Sequence, residues 1–272
     1  MNVTARAAAR EITELFESAS HAIGHGIVSL CNMIGTLAKF AGQVIRYTVT
    51  PPFFGKQFAK MCLNIGFYSL PVVGLTAIFT GMVLALQSYT GFARFNAEGA
   101  VASVVVLSIT RELVPVLAGL MVTGRIGASI AAEIGTMRVT EQIDALTTLS
   151  VNPFKYLVVP RVLAGVLMLP LLVLVGDIIG VFGGYIVAVH VLDFNPSRYL
   201  QQTWEFVEAI DVVSGLVKAG VFGLVVTLLG CYHGYKSDRG AQGVGQATTN
   251  AVVSASILIL VLNYFLTQVF FS

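Results

Sequence analysis

Charge is what this sequence has least of. Only 11% of its 272 residues are Asp, Glu, Lys or Arg, whereas a soluble domain carries about 25%. With 56% hydrophobic residues, the chain cannot dress a water-exposed surface, and a soluble globular domain is excluded. Cysteine is scarce too. Cys31, Cys62 and Cys231 are odd in number, lie in apolar surroundings and lack metal-ligand spacing, so they read as packing residues. His21, His25, His190 and His233 are scattered; the first two share a helix face, but no third ligand accompanies them. The phosphate-cradling pattern G-x-x-x-x-G-K-[ST] is missing, because "FFGKQ" lacks both the earlier glycine and the following hydroxyl. H-E-x-x-H and G-x-S-x-G are missing as well. The chain is therefore expected to be no enzyme, to hold no metal or cofactor, and to bind no nucleic acid.

What it has is oil in long runs. About 20 apolar residues span about 30 Å of hydrocarbon as a helix, and such runs lie near 64–92, 99–124, 156–190, 213–234 and 248–271. The expected fold is all-α: a polytopic membrane protein with about five transmembrane helices. The third run is too long for one straight span, so it tilts, continues past the membrane, or breaks at Pro170 or Gly183–Gly184. Arg6, Arg10, Lys39, Arg46, Lys56 and Lys60 precede the first run, and Arg125, Arg138, Lys155 and Arg161 separate the second from the third. Only Arg94 and Arg198 are basic on the other side, where Asp193, Glu205, Glu208 and Asp211 also lie. The positive-inside rule places the N-terminus in the cytoplasm and the C-terminus outside.

Residues 1–60 are expected to form an N-terminal amphipathic region, and 61–272 a transmembrane domain. Arg10, Glu11, Glu14 and Glu17 alternate with Ile12, Leu15, Phe16 and Ala19 at helical spacing, while 27–38 is too short to span. An interfacial helix on the inner leaflet fits this pattern better than a cleaved signal peptide, which would not carry these acids.

The stretch "AAEIGTMRVTEQIDALTTLSVNPF", near 131–150, interrupts the oil with mixed charge. Ile134, Met137, Ala145, Leu146 and Leu149 share a helical surface, with Glu133, Arg138, Glu141 and Asp144 on the polar remainder. One short helix is predicted, with an Arg138–Glu141 pair, ending near Val151 before Asn152 caps a new helix at Pro153. Connectors of 2–8 residues suffice to reverse a chain, so an ordered amphipathic one reads either as a docking surface or as a solvated loop helix. Small residues recur at four-residue intervals as Gly124, Ala128, Ala132; Gly127, Ala131, Gly135; Gly176, Gly180, Gly184; and Gly215, Ala219, Gly223. Such rows let helices approach closely in a bilayer.

Arg111 and Glu112 fall halfway along the second run. Charge at that depth costs about 2.5–3.5 kcal/mol and usually faces a partner or a wet cavity. Adjacent residues on a helix point about 100° apart, so each needs its own surroundings. Asp177 in the third run and Lys218 in the fourth are candidate partners, and Pro115 frees backbone carbonyls nearby.

The segments "GMVLALQSY" (81–89), "LSITRELVPVLAGLMVTGRIGASIAAEIGTMRVTEQIDAL" (107–146), "NPFKYLVVPRVLAG" (152–165), "LPLLVLVGDIIGVFGGY" (169–185) and "GAQGVGQATTNAVV" (240–253) together resemble the MlaE/YrbE permease family. The resemblance covers roughly residues 66–255. It implies the membrane subunit of an ABC-type lipid transporter in the bacterial inner membrane. Two copies would pair, with cytoplasmic ATPases beneath, an MCE-domain ring on the periplasmic side and sometimes a STAS-domain protein. The implied cargo is phospholipid, moved between inner and outer membranes. Arg111 and Glu112 then match an R-E-L-x-P-V motif beside a lipid cavity, and Lys218 a basic position near it. Glu133, Arg138, Glu141 and Asp144 match a coupling helix that meets the ATPase. The resemblance makes Gly240–Gly245 a second cytoplasmic loop, with Thr248 or Thr249 capping the last span. From the residues alone, two other classes stay open: an autonomous transporter with Glu112 as proton site, and a membrane-embedded lipid-modifying enzyme.

Overall fold

A computed structural model of the chain describes residue 28, residues 31–32, 34–95 and 97–271. The proposed amphipathic segment at Arg10–Ala19, with His21 and His25, lies outside them. The chain divides into two compact units, Met1–Val49 and Thr50–Ser272. The first contains helix α1 (34–49); among the described residues the second holds seven further α-helices.

Five of these are long and apolar enough to cross a membrane: α2 (Gly55–Phe92), α3 (Val101–Val139), α5 (Phe154–His190), α7 (Ala209–Tyr235) and α8 (Ala241–Phe271). Two short helices join them, α4 (Gln142–Thr148) and α6 (Pro196–Phe206). No strand occurs among the described residues, so the all-α polytopic expectation holds.

Local chemistry sets the helix starts. Asn152 Oδ1 accepts from Phe154 N at 3.0 Å, capping α5 as its sequence predicts. Asn195 does the same for α6, accepting from Arg198 N at 3.2 Å with Pro196 following. At α7, Glu208 and Asp211 form a reciprocal capping box. Gly240, at φ +91°, turns the chain into α8.

The structure selects one of the courses left open for the third run and changes two other expectations. The 37 residues of α5 run without a break through Pro170 and Gly183–Gly184. At 1.5 Å per residue that is about 55 Å, well beyond a 30 Å core, so the helix continues past the membrane. The Pro170 ring lies beside Gly220 of α7. The predicted single helix over Glu133–Leu149 is two pieces. The second span continues as α3 to Val139, the chain turns at Thr140–Glu141 with Glu141 at φ +59°, and α4 follows. Finally, 241–245 is helix rather than loop, and Thr248 and Thr249 do not cap. Their hydroxyls donate to the Gly245 carbonyl one turn back, at 2.6 and 3.2 Å.

The small-residue rows do their packing within the chain. A Cβ on Gly81 of α2 would run into the Gly180 carbonyl of α5, and one on Gly223 of α7 into the Gly165 carbonyl of α5. These backbone-to-backbone approaches hold α2 and α7 against α5. Gly124 is the exception, with open space around it. Helix α7 is the centre of the bundle, with 56% of its apolar window buried, against 11% for α8, which leaves α8 at an edge.

Candidate functional site

Helix α3 is not a regular α-helix at the places where two of its three arginines, Arg111 and Arg125, sit. Residues Ile109–Leu113 and Thr123–Gly127 form π turns, a local widening that often marks functional sites. The first contains Arg111 and Glu112. Pro115 has no N–H, so the Arg111 carbonyl loses the donor that a regular helix would supply four residues on. Lys218 of α7 replaces it, its Nζ donating to the Arg111 carbonyl at 2.8 Å. The approach requires Gly215 one turn earlier, where any Cβ would meet the Thr110 carbonyl.

From there the two charges part, as their angular separation predicts. Glu112 Oε1 accepts from Lys218 Nζ at 2.7 Å and from Thr267 Oγ1 at 2.7 Å, while Oε2 accepts from Asn263 Nδ2 at 2.8 Å. Lys218 donates as well to Thr267 Oγ1 at 2.8 Å. Arg111 turns to Asp211, its Nε and Nη2 each 2.7 Å from Oδ1. The other Asp211 oxygen accepts from Glu208 N at 3.0 Å, and the guanidinium lies 4.4 Å from the Phe271 ring centroid. Three helices therefore converge on two buried ion pairs. Lys218 and Asp211 are sealed, at 0% side-chain exposure, while Arg111 and Glu112 expose 33% and 35%. One polar atom in the cluster is spare: Asn263 Oδ1, buried without a partner.

The structure thus brings Arg111, Glu112 and Lys218 together. It adds Asp211, Asn263 and Thr267, which the sequence reading did not assign to the site. Asp177 is not a partner of either charge: both its carboxylate oxygens are buried and unpaired.

At the α4 end, Glu133, Arg138, Glu141 and Asp144 do not form one patch. Glu133 Oε2 pairs with Arg161 Nη2 at 2.9 Å, and that arginine is only 4% exposed. Arg138 meets Asp144 at 3.1 Å instead of the expected Glu141, because the turn at Glu141 swings α4 back across the end of α3. Ile143 is buried and anchors α4, whereas Glu141, Asp144 and Leu149 face outward. Beside them a cavity of about 660 Å³ is lined by Lys60, Glu133, Gln142, Tyr156 and Arg161 among others. The second π turn reaches elsewhere: Arg125 Nη1 donates to Ser69 Oγ at 2.7 Å and to the Asn64 carbonyl at 3.1 Å, spanning the irregular Phe67–Ser69 turn of α2.

Comparison with known proteins places these features in a wider set. The family model described as Permease MlaE matches residues 58–269. A "Probable ABC transporter permease protein" of Rickettsia bellii is 59% identical over 93% of this chain and 97% of its own length. The "Intermembrane phospholipid transport system permease protein MlaE" of Haemophilus influenzae is 36% identical, covering 76% of this chain and 80% of its own. The chloroplastic protein TRIGALACTOSYLDIACYLGLYCEROL 1 of Arabidopsis thaliana is 33% identical over 85% of this chain and 66% of its own.

Proposed function

The chain belongs to the MlaE permease family, and from that premise we propose that it is the non-catalytic membrane subunit of an ATP-driven lipid transporter, with phospholipid as cargo. The name of the Haemophilus relative supports that cargo. The observation that carries the reading is the buried ion network at the first π turn, with Arg111 and Glu112 each one-third exposed at bilayer depth. A diacyl lipid has an apolar body and a charged head, and a pocket for it needs apolar walls with a few placed polar groups. Glu112 and Arg111 supply opposite charges for such a head.

The site is half of a chamber. Helix α8 presents Val253, Ile257, Leu260, Val261, Tyr264 and Phe265 outward, and a second copy of the chain closing on that face would enclose the charges. In the proposed arrangement α4 lies on the cytoplasmic side of the inner membrane, where Arg138, Glu141 and Asp144 meet an ABC ATPase, with Glu133 held behind them by Arg161. An MCE-domain protein lies on the opposite side, and a STAS-domain protein accompanies the ATPase. ATP-driven closure moves α4, and α3 carries that movement to the π turn at Glu112.

The proton-carrier alternative loses support here. Glu112 accepts hydrogen bonds from Lys218, Thr267 and Asn263, so its carboxyl is one member of a connected polar network.

Reconstitution tests the reading. Proteoliposomes holding the chain with its ATPase should move labelled phospholipid only with ATP, and Glu112→Ala should abolish movement while leaving the complex assembled. Transport by the chain alone, without ATP, would refute it.

A further inference from the structure

A second polar feature lies apart from the ion network. A cleft of about 560 Å³ opens between α3, α5, α6 and the start of α7, and none of Arg111, Glu112 and Lys218 lines it. Its walls are apolar except at a few points. Asp177 lines it, is 5% exposed, and has no hydrogen-bond partner on either carboxylate oxygen. Tyr199 lines it too, 3% exposed, with an unpartnered hydroxyl close to Gly184. The cleft's two threonines cannot help, because Thr110 and Thr203 already donate to the carbonyls of Val106 and Tyr199 in their own helices.

A buried carboxyl with nothing to bond costs several kcal/mol, and native structures rarely leave one. Asp177 and Gly184 are seven residues apart on α5, about 10 Å along one face. The cleft therefore offers an acceptor at one level and a phenol about 10 Å nearer α6. Burial pushes the Tyr199 phenol up to about 12, so it remains a proton donor.

We propose that this cleft binds a slender amphiphile, a hydrocarbon body carrying a hydroxyl or ammonium that donates to Asp177. The size fits, since small-ligand pockets run about 300–1,000 Å³. An acyl tail alone has no donor for Asp177. A partner's transmembrane helix fits poorly as well. On α5 the cleft runs only from Leu174 to Tyr185, about 16 Å, and α6 borders its end, whereas a spanning helix needs about 30 Å of groove.

The chain contains one tryptophan, Trp204, and it lines this cleft. Brominated hydrocarbons quench tryptophan on contact, so binding is read directly. The purified full chain is titrated with a dibromo-octadecanol, the matching amine, and the methyl ether of the alcohol, which keeps the body but loses the donor. Alcohol or amine should quench Trp204 at about tenfold lower concentration than the ether. In Asp177→Leu the difference should vanish, and Asp177→Asn should retain part of it. Equal midpoints for all three compounds in the unsubstituted protein would overturn the proposal, as would discrimination that survives in Asp177→Leu; the cleft would then belong to bulk lipid or a protein helix. The measurement needs neither ATP nor a partner, so its failure leaves the transport reading untouched.

Discussion

Lys218 gives the sharpest test of how the network is held together. Its side chain is 0% exposed, and its ammonium makes contacts of 2.7–2.8 Å to Glu112 Oε1, the Arg111 carbonyl and Thr267 Oγ1. Lys218→Met removes the charge at nearly constant volume. Removing one member of a buried pair costs about 3–5 kcal/mol. Glu112 is 35% exposed and keeps its Thr267 and Asn263 donors, so partial solvation lowers the expected loss to roughly 2–3 kcal/mol. The Arg111 carbonyl, which Pro115 deprives of a backbone donor, contributes part of that. Glu112→Leu should cost more, about 3–5 kcal/mol, since it strands the sealed ammonium. The double variant should not cost the sum, because replacing both charges by apolar groups is often close to neutral. Unfolding in mixed micelles, followed by the midpoint in denaturing detergent, yields the cycle. With the double variant near neutral, a coupling close to the sum of the two single losses is expected. Additive losses would refute the view that these residues act as one pair. Lipid transport separates structure from function: the double variant should be stable and inactive.

Other outcomes follow from the same geometry. Gly81→Leu should cost about 3 kcal/mol or more and lower the folded yield, because the new side chain meets α5 backbone that cannot move aside; a melting midpoint equal to the parent's would contradict the close approach. Asp211→Ala should destabilise by roughly 2 kcal/mol, losing a helix cap and leaving Arg111 unpaired, whereas loss of a mere loop acid would leave the midpoint unchanged. The Arg138–Asp144 pair is exposed at 43% and 65%, so Arg138→Ala with Glu141→Ala should shift stability by under about 1 kcal/mol yet weaken co-purification of the ATPase. Undiminished co-purification would remove the docking role.

The span count was legible because length and composition alone decide it. Lys218 was also legible as a partner, since a lone cation at bilayer depth must be answered. Asp211 was not, because the apolar run begins at 213 and the acid reads as loop; the Glu208-x-x-Asp211 spacing is the signal that extends α7 back to it. Asn263 and Thr267 carried a signal too, four residues apart on one face of the last span. The turn at Glu141 left none. Non-glycine residues seldom take positive φ, and no glycine or proline marks the place. The first π turn left a partial signal in Pro115, which frees the Arg111 carbonyl that Lys218 meets; the second left none.

Those two π turns bear on how a push at α4 is felt at Glu112. At 1.5 Å per residue, the 27 residues from Glu112 to Val139 span about 40 Å, and an unbroken helix over that distance moves as a rod. A rod alone would drive Glu112 along its axis and drag Lys218 with it, conserving the pair. The second π turn changes this, because Arg125 ties α3 to the Asn64 carbonyl and to Ser69 Oγ at the irregular turn of α2. Two weakly bonded turns are thereby joined at one level by a single guanidinium. On the proposed coupling, movement at α4 would pivot there instead of sliding, and the far arm of α3 would swing the first π turn relative to α7. Lys218 bonds both the backbone and the side chain of that turn, so the swing loads the Lys218–Glu112 contact first. The charges that a lipid head would meet and the joint that the lever would turn on are thus parts of one helix, separated by a little over three turns.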